Sequence, residues 1–228
     1  ESEWPLARTQ FTKFYITSED NANSLHGGVC ITQDKPKHPG VDKYSYNPEN
    51  PVPTLGGPMM HVDYVGPADR RPVERRDDVL VYTSRPLEAD MEITGPVTMT
   101  LFASSSAKDT DFATTLVDVY PDDRAIHICE GIQRARYRES ITTASLIEPG
   151  KVYKYIINMW ATSNVFKAGH KIRVEITSSN FPRFDRNPNT GNTIGMDSEL
   201  KVATQVIHHG SDYPSHIILP VIPRTDSV

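Results

Sequence analysis

Short runs in which apolar and polar residues alternate dominate the chain, and this period of two predicts β-strands. The clearest run covers residues 171–176, where charged and aliphatic residues alternate without a break. Such a pattern is typical of an antiparallel strand with one face on the core and one face in solvent. Comparable runs predict further strands at 11–16, 79–83, 97–103, 112–120, 132–137, 152–158 and 217–221.

Turn-forming residues separate most of these runs, at 95–96, 121–123, 149–150 and 168–169. Glycine, proline and aspartate at such places favour tight turns. Many strands separated by turns predict a sandwich or a barrel. Helical periodicity is scarce, and only residues 198–203 suggest a short helical turn. The sequence therefore predicts an all-β protein whose residues 1–228 form a single domain.

Two stretches depart from the strand pattern. Residues 34–60 contain six prolines, which lack a backbone donor, so this segment is predicted to lie extended over a surface rather than as a central strand. Its expected contacts with that surface are Tyr44, Tyr46, Leu55, Met59 and Met60. Residues 181–196 form a long irregular loop rich in Asn, Pro, Gly and Arg, and loops of this kind are often functional or interfacial.

Composition and charge narrow the range of partners. The formal net charge of −5 gives no basic surface for nucleic acid or acidic lipid, and no apolar run approaches the ~20 residues of a membrane span. We expect neither a nucleic-acid nor a membrane partner. Cys30 and Cys129 lack disulfide or metal spacing and are expected to be buried thiols. Two thiols in a chain of this length fit a reducing compartment, and we expect a cytoplasmic protein.

The sequence offers no credible active site. A serine nucleophile elbow, G-x-S-x-G, is absent, and the serines at 104–106 and 178–179 are interpreted as solvated strand ends. Eight histidines include no H-E-x-x-H motif, and the adjacent His208 and His209 should point to opposite faces of a strand. We therefore predict no catalytic residue, no metal and no cofactor.

The loop at 181–196 holds residues with interaction chemistry of their own. Arg183 and Arg186 carry guanidinium groups that suit carboxylates, and Asp109, Asp111 and Asp185 are their candidate partners. The segment 189–191 suits a turn with positive φ at Asn or Gly. Two interpretations remain open: the arginines bind the loop to its own sandwich, or the loop faces another domain or subunit.

Several segments, in order along the chain, resemble one family. They are Trp4–Pro5, the 51–57 segment PVPTLGG, the 77–84 segment DDVLVYTS, the 103–112 segment ASSSAKDTDF, RARYR at 134–138, GHKIRVEI at 169–176 and SSNFPRFDRNPNTG at 178–191. This series resembles the C-terminal domain of the X-Pro dipeptidyl-peptidase and cocaine-esterase family of serine hydrolases. Glu130 stands where that family more often has Asp.

The resemblance implies a jelly-roll β-sandwich of the galactose-binding-like type. It also implies an upstream α/β-hydrolase domain that carries the Ser-Asp-His triad, so no catalytic residue transfers to this chain. The chain opens at Glu1 without a methionine, as expected for a segment of a longer protein. The predicted function is an accessory domain that packs on the catalytic domain and helps shape its substrate site or an oligomer.

The residues predicted to form the structural or interface loop are Arg183, Phe184, Asp185, Arg186, Asn187 and Asn189, with Asp109 and Asp111.

Two other functions find less support in the sequence. A carbohydrate-binding module would need exposed aromatic residues, whereas Tyr153, Tyr155 and Trp160 lie in a strand-like stretch that predicts core burial. An independent hydrolase would need a nucleophile motif that the sequence lacks.

Overall fold

The computed structural model describes residues 2–19, 22–23, 30–59 and 65–223. Met60, His26 and His61, which entered the sequence predictions, lie outside this part of the chain. The strands defined within it are β1 Gln10–Ile16, β2 Ile31–Thr32, β3 Gly40–Tyr46, β4 Leu80–Thr83, β5 Met91–Ser105, β6 Asp111–Val119, β7 Ala125–Arg134, β8 Tyr153–Phe166, β9 Lys171–Thr177, β10 Ala203–His209 and β11 His216–Ile222. A four-residue helix, α1, covers Arg71–Glu74, and a 3-10 turn covers Ala135–Tyr137.

The strands form two antiparallel sheets. The larger sheet has the order β2-β1-β11-β5-β10-β3, with β8 on the other side of β5, and the smaller has the order β4-β9-β6-β7. The long strand β5 organises the larger sheet, because β8 pairs along it from Met91 to Ala103 while β11 and β10 pair with successive parts of its opposite side. The prediction of an all-β sandwich is confirmed.

The core lies between the two sheets and is built from the inward-facing residues of the alternating runs. Its largest fully buried side chains include two tyrosines and a phenylalanine that the pattern placed on strands: Tyr82, Tyr155 and Phe112. The rings of Phe112 and Tyr155 contact each other across the sheets with centroids 4.7 Å apart. Cys30 and Cys129 are buried free thiols, as predicted.

The outward face of β9 departs from the prediction of a solvated surface. Arg173 and Glu175 are buried, because the segment around α1 covers this face and supplies Glu74 and Arg70 as hydrogen-bonding partners. Arg173 Nη1 donates to Glu74 Oε2 at 2.7 Å, and Arg70 Nη2 donates to Glu175 Oε2 at 2.6 Å. Arg70 also donates to the carbonyl of Leu55 at 2.7 Å, so the same charges hold the proline-rich segment on the sandwich.

The proline-rich segment is ordered in two parts. Residues 40–46 form the edge strand β3, paired with β10, whereas the prediction was an extended segment without strand pairing. The exclusion of a central strand is correct, since β3 lies at the end of its sheet. Tyr44 and Tyr46 are buried as predicted, and Leu55 packs against the cluster formed by Val52, Val73, Val79 and Val81.

Several local predictions are wrong for identifiable reasons. Gly95–Pro96 lies inside β5 rather than in a turn, because the strand continues through it with a register shift beside the proline. Residues 198–203 form no helix, and β10 begins at Ala203. The predicted strand at 132–137 ends at Arg134, where the 3-10 turn begins. The turns at 121–123, 149–150 and 168–169 are present.

Candidate functional site

Asn187 occupies the centre of the 181–196 loop and is buried. Its Nδ2 donates to Asp109 Oδ2 at 2.9 Å and to Asp111 Oδ1 at 2.8 Å, and its Oδ1 accepts from the backbone N–H of Asn189 at 2.9 Å. The hydroxyl of Tyr46 donates to its carbonyl oxygen at 3.2 Å. One side chain therefore joins the loop to the strand that carries Asp111 and to the turn before it.

The two aspartates bind arginines, but not those of the loop. Asp109 accepts from Arg136 Nε at 2.8 Å, and Asp111 accepts from Arg134 Nε and Nη2, each at 2.9 Å. The prediction that they pair with Arg183 or Arg186 is wrong, because Arg134 and Arg136 of the RARYR segment bind them instead. Burial raises the pKa of Asp111, although hydrogen bonds and charge from Arg134 oppose the rise.

Arg183 and Arg186 bind the loop to the sandwich by other partners. Arg183 Nε lies 2.6 Å from Glu130 Oε1, and Arg186 Nη1 donates to the carbonyl of Pro48 at 3.0 Å. The Arg183 guanidinium also lies 5.1 Å from the ring centroid of Phe184. Asp185, the third predicted partner, is exposed and contributes only its carbonyl oxygen, which accepts from Arg134. These contacts match the interpretation in which the loop is bound to its own domain.

Glu130 has a buried carboxylate with several polar partners, as functional residues often do, but it was not among the predicted site residues. Its buried carboxylate accepts from Asn180 Nδ2 at 2.8 Å and lies 3.3 Å from His127 Nε2, in addition to the ion pair with Arg183. Burial alone would raise the pKa of Glu130, but His127 and Arg183 hold it below its ordinary value. The position of Glu130 shortly before the RARYR segment was the available sequence signal. The spacing of the charged residues did not indicate which of them would be its partners.

The turn at the end of the loop has the predicted backbone. Asn189 has φ of 63° and Gly191 has φ of 81°. Asn189 Nδ2 donates to the carbonyl of Lys201 at 2.7 Å, which connects the loop to the chain before β10. The predicted loop residues therefore form one connected structural unit, in which Phe184 is partly buried and Asp185 is exposed.

Ser18, Asp42 and His209 come together, but their geometry does not fit a catalytic triad. Asp42 Oδ1 accepts directly from Ser18 Oγ at 2.7 Å, and its Oδ2 lies 3.1 Å from His209 Nε2. The same His209 nitrogen lies 3.2 Å from Ser18 Oγ. In a triad the imidazole separates serine from carboxylate and uses both ring nitrogens. Here Asp42 accepts directly from the serine, and the same His209 nitrogen faces both groups, so the imidazole does not stand between them.

The serine clusters are structural as well. Ser104, Ser105, Ser178 and Ser179 are buried, which corrects the prediction of solvated strand ends, whereas Ser106 is exposed as predicted. Ser178 Oγ lies 2.8 Å from the hydroxyl of Tyr44, and Ser179 Oγ accepts from the N–H of Val52 at 2.8 Å. The hydroxyls of Ser178 and Ser179 thus form hydrogen bonds with the edge strand β3 and with the proline-rich segment, which lie over them.

Groups of metal-ligating side chains and membrane-spanning helices are both absent from the described ranges. In the part of the chain that the structure describes, no three His, Cys, Asp or Glu side chains are grouped to hold a metal ion. His208 and His209 lie on opposite faces of β10, as predicted, since His209 binds Asp42 while His208 Nε2 lies 3.1 Å from Ser104 Oγ. No helix among the described residues is long and apolar enough to cross a membrane.

A concave surface lies beside the Glu130 cluster and has a volume of about 660 Å³. Its walls include Val65, Ile128, Met159 and Trp160, and Glu130 and Arg183 also line it. Trp160 is 68% exposed, which corrects the prediction that it is buried in the core, whereas Tyr155 is buried as predicted.

Comparison with known proteins gives consistent matches. The family model described as the X-Pro dipeptidyl-peptidase C-terminal non-catalytic domain matches residues 1–218. A cocaine esterase of Rhodococcus sp. (strain MB1 Bresler) is 48% identical over 227 residues, which are 98% of this chain and 40% of that protein. The chain therefore spans well under half the length of this relative.

Solved structures agree with the sequence matches. An aminopeptidase from a marine sediment archaeon, Thaumarchaeota archaeon, superposes with a TM-score of 0.85 at 27% identity and covers 97% of this chain and 38% of its own. An α-amino acid ester hydrolase superposes with a TM-score of 0.82 at 27% identity, over 92% of this chain and 36% of its own. None of these proteins supports the carbohydrate-binding alternative.

Proposed function

The chain belongs to the X-Pro dipeptidyl-peptidase C-terminal non-catalytic domain family, and we propose that it acts as the accessory domain of a serine hydrolase. In this proposal residues 1–228 form one jelly-roll domain of the galactose-binding-like type, which packs on an α/β-hydrolase domain of the same polypeptide. The catalytic serine, histidine and aspartate belong to that second domain.

One observation carries the proposal. The family match covers almost the whole chain, while the same region makes up only 40% of the esterase relative and 38% of the aminopeptidase structure. The remaining length of such proteins is sufficient for a catalytic domain. The arrangement of Ser18, Asp42 and His209 supports the same division of labour, because these three residues do not have the order of a catalytic triad.

Further parts of the proposal concern the substrate and the surroundings. The relatives' names include an esterase, an amino acid ester hydrolase and an aminopeptidase, so we propose an acyl or peptidyl bond as the target of the whole protein. Two buried free thiols support a reducing, cytoplasmic location. The loop 181–196 and the segment 34–60 are proposed to contribute to the surface against the catalytic domain or a second subunit.

The test compares this chain with the longer natural polypeptide that contains it. Both are assayed on a phenyl ester, an amino acid ester and an X-Pro anilide. We expect the longer protein to hydrolyse at least one substrate and the isolated chain to remain at the uncatalysed background. Turnover by the isolated chain, or a longer protein that turns over none of the three and contains no serine triad, would refute the proposal.

A further inference from the structure

Among the large residues of β8, Trp160 has the most unusual backbone conformation. Its φ is 65°, in the left-handed region that bulky residues rarely adopt. It lies at a bulge, since Pro96 pairs with Ala161 and Thr98 pairs with Asn158, which leaves two residues of β8 opposite one of β5. Asn158 Oδ1 accepts from the Trp160 N–H at 2.8 Å and fixes this geometry. Strain of this kind persists where the surrounding structure enforces it, and it is common at functional sites.

The indole is not used by the sandwich itself. Trp160 is 68% exposed, whereas its neighbour Met159 is fully buried and fills the core beneath it. A bulge with positive φ needs only glycine, which adopts this conformation without steric cost. The fold therefore accounts for the bulge but not for a tryptophan at its exposed position.

The surroundings of the indole suit contact with another protein surface. Trp160 borders the concave surface described above, together with Val65, which is 54% exposed, and the partly buried Ile128. Behind these apolar walls Glu130 and Arg183 neutralise each other at 2.6 Å. Exposed aromatic and aliphatic groups around a preformed hollow are typical of the central part of an interface, where tryptophan is enriched.

We propose that Trp160 and this hollow form the docking surface for the catalytic domain of the same polypeptide, an inference that rests on the function proposed above. The relatives supply the argument for this occupant, because 60% of the esterase lies outside the region that this chain matches. The surface of the catalytic domain that meets Trp160 is apolar, and it places at least one aliphatic or aromatic side chain in the hollow. Arg183 adjoins the same hollow, so part of the 181–196 loop lies at the edge of the contact.

Hydroxyl-radical footprinting tests the contact directly. The modification rates of side chains are measured in the isolated chain and in the longer natural polypeptide, with Phe11 on β1, 53% exposed, as the control. Because central interface residues lose nearly all solvent contact, the rate at Trp160 should fall at least about fivefold in the longer protein. The rate at Phe11 should not change.

The outcomes separate this inference from the function on which it rests. Protection of a different face, with Trp160 as reactive as before, would overturn the docking surface and leave the accessory function intact. Protection of no part of the chain would contradict packing of the two domains altogether, and with it both proposals.

Substitutions distinguish an interface residue from a structural one. In the longer protein, Trp160→Ala should increase the rate at which limited proteolysis separates the domains by on the order of tenfold, as expected for a hot-spot residue. Ile156→Ala, at a 49% exposed position of the same strand, should change that rate by less than about twofold. In the isolated chain, Trp160→Gly should leave the melting temperature unchanged or higher, because glycine relieves the strained φ. A pronounced loss of stability in the isolated Trp160→Gly chain would show that the indole serves the sandwich instead.

Discussion

The buried charges beneath α1 make the stability of this protein depend on pH in an unusual direction. Glu74 is buried, its Oε2 accepts from Arg173, and its Oε1 has no hydrogen-bond partner. Burial, and next the nearby carboxylate of Glu175, raise the pKa of Glu74 from 4.5 to about 8. The folded protein therefore binds a proton at Glu74 under conditions in which the unfolded chain has lost it.

The sign and size of the effect follow from linkage. Where the folded state binds more protons than the unfolded state, the free energy of unfolding falls as pH rises. The stabilisation from the protonated Glu74 is complete below its unfolded pKa and is lost as pH rises toward about 8. A tenfold change in proton affinity corresponds to about 1.4 kcal/mol, so ionising Glu74 in the folded state costs roughly 4–5 kcal/mol.

Chemical denaturation of the wild type and of Glu74→Gln at pH 5.5, 7 and 8.5 measures this cost. Glutamine resembles the protonated acid, so its advantage over the wild type should grow by about 1.4 kcal/mol per pH unit between pH 5.5 and 7 and level off above about pH 8. Glu148→Gln serves as a surface control, because Glu148 is exposed and forms an ion pair with the exposed Lys151, and it should not alter the pH dependence in this range. A difference between the Glu74→Gln and wild-type stabilities that stays constant with pH would refute the reasoning.

Other substitutions test the loop and the close approach of two strands. Arg183→Met should cost about 3–5 kcal/mol of unfolding free energy, because it leaves Glu130 buried without its cation, whereas Arg186→Met should cost less than about 1.5 kcal/mol, since it removes one surface hydrogen bond. Equal effects of the two in urea denaturation would contradict the assignment of partners. Asn187→Ala should cost about 2–4 kcal/mol by leaving both aspartates without their shared donor, and an unchanged melting temperature would refute its central role. Gly131→Ala should destabilise the domain strongly, because its Cβ would lie 2.3 Å from a carbonyl oxygen of β8; full stability of this variant in calorimetry would show that the two strands separate easily.

The strands were predictable where one face of a strand meets the core. In β9 the aliphatic residues recur at every second position, and burial of that face fixes the strand whatever its neighbours are. Residues 40–46 and 203–209 were harder to assign, because prolines precede the first and polar residues interrupt the second. Both segments become strands through pairing with each other, and pairing between distant segments leaves no local signal.

The partners of buried charges were not predictable from the sequence. Arg173 and Glu175 have the spacing of a solvated strand face, and only the position of α1 turns that face into a buried ion-pair network. Likewise Asp109 and Asp111 require arginines, but the sequence contains several. The choice of Arg136 and Arg134 over Arg183 and Arg186 depends on which strand ends lie side by side. Residue type indicated the chemistry, and topology decided the pairs.

Trp160 shows the same limit in the opposite direction. A tryptophan in an alternating run is usually buried, and the prediction followed that tendency. The extra residue of the bulge turns the side chain outward. The sequence does not indicate the bulge, because its positive φ belongs to a tryptophan rather than to a glycine. The candidate docking surface therefore became visible only with the backbone in place.

The claim that this chain carries no catalytic centre is tested most directly with a fluorophosphonate, which phosphonylates activated serines covalently with loss of fluoride. The isolated chain is incubated with the reagent, and its intact mass is measured, with the longer natural polypeptide treated in parallel. The account predicts no mass increase on the isolated chain and one adduct per molecule of the longer protein, on a serine outside residues 1–228. A stoichiometric adduct on any serine of the isolated chain, Ser18 included, would contradict it.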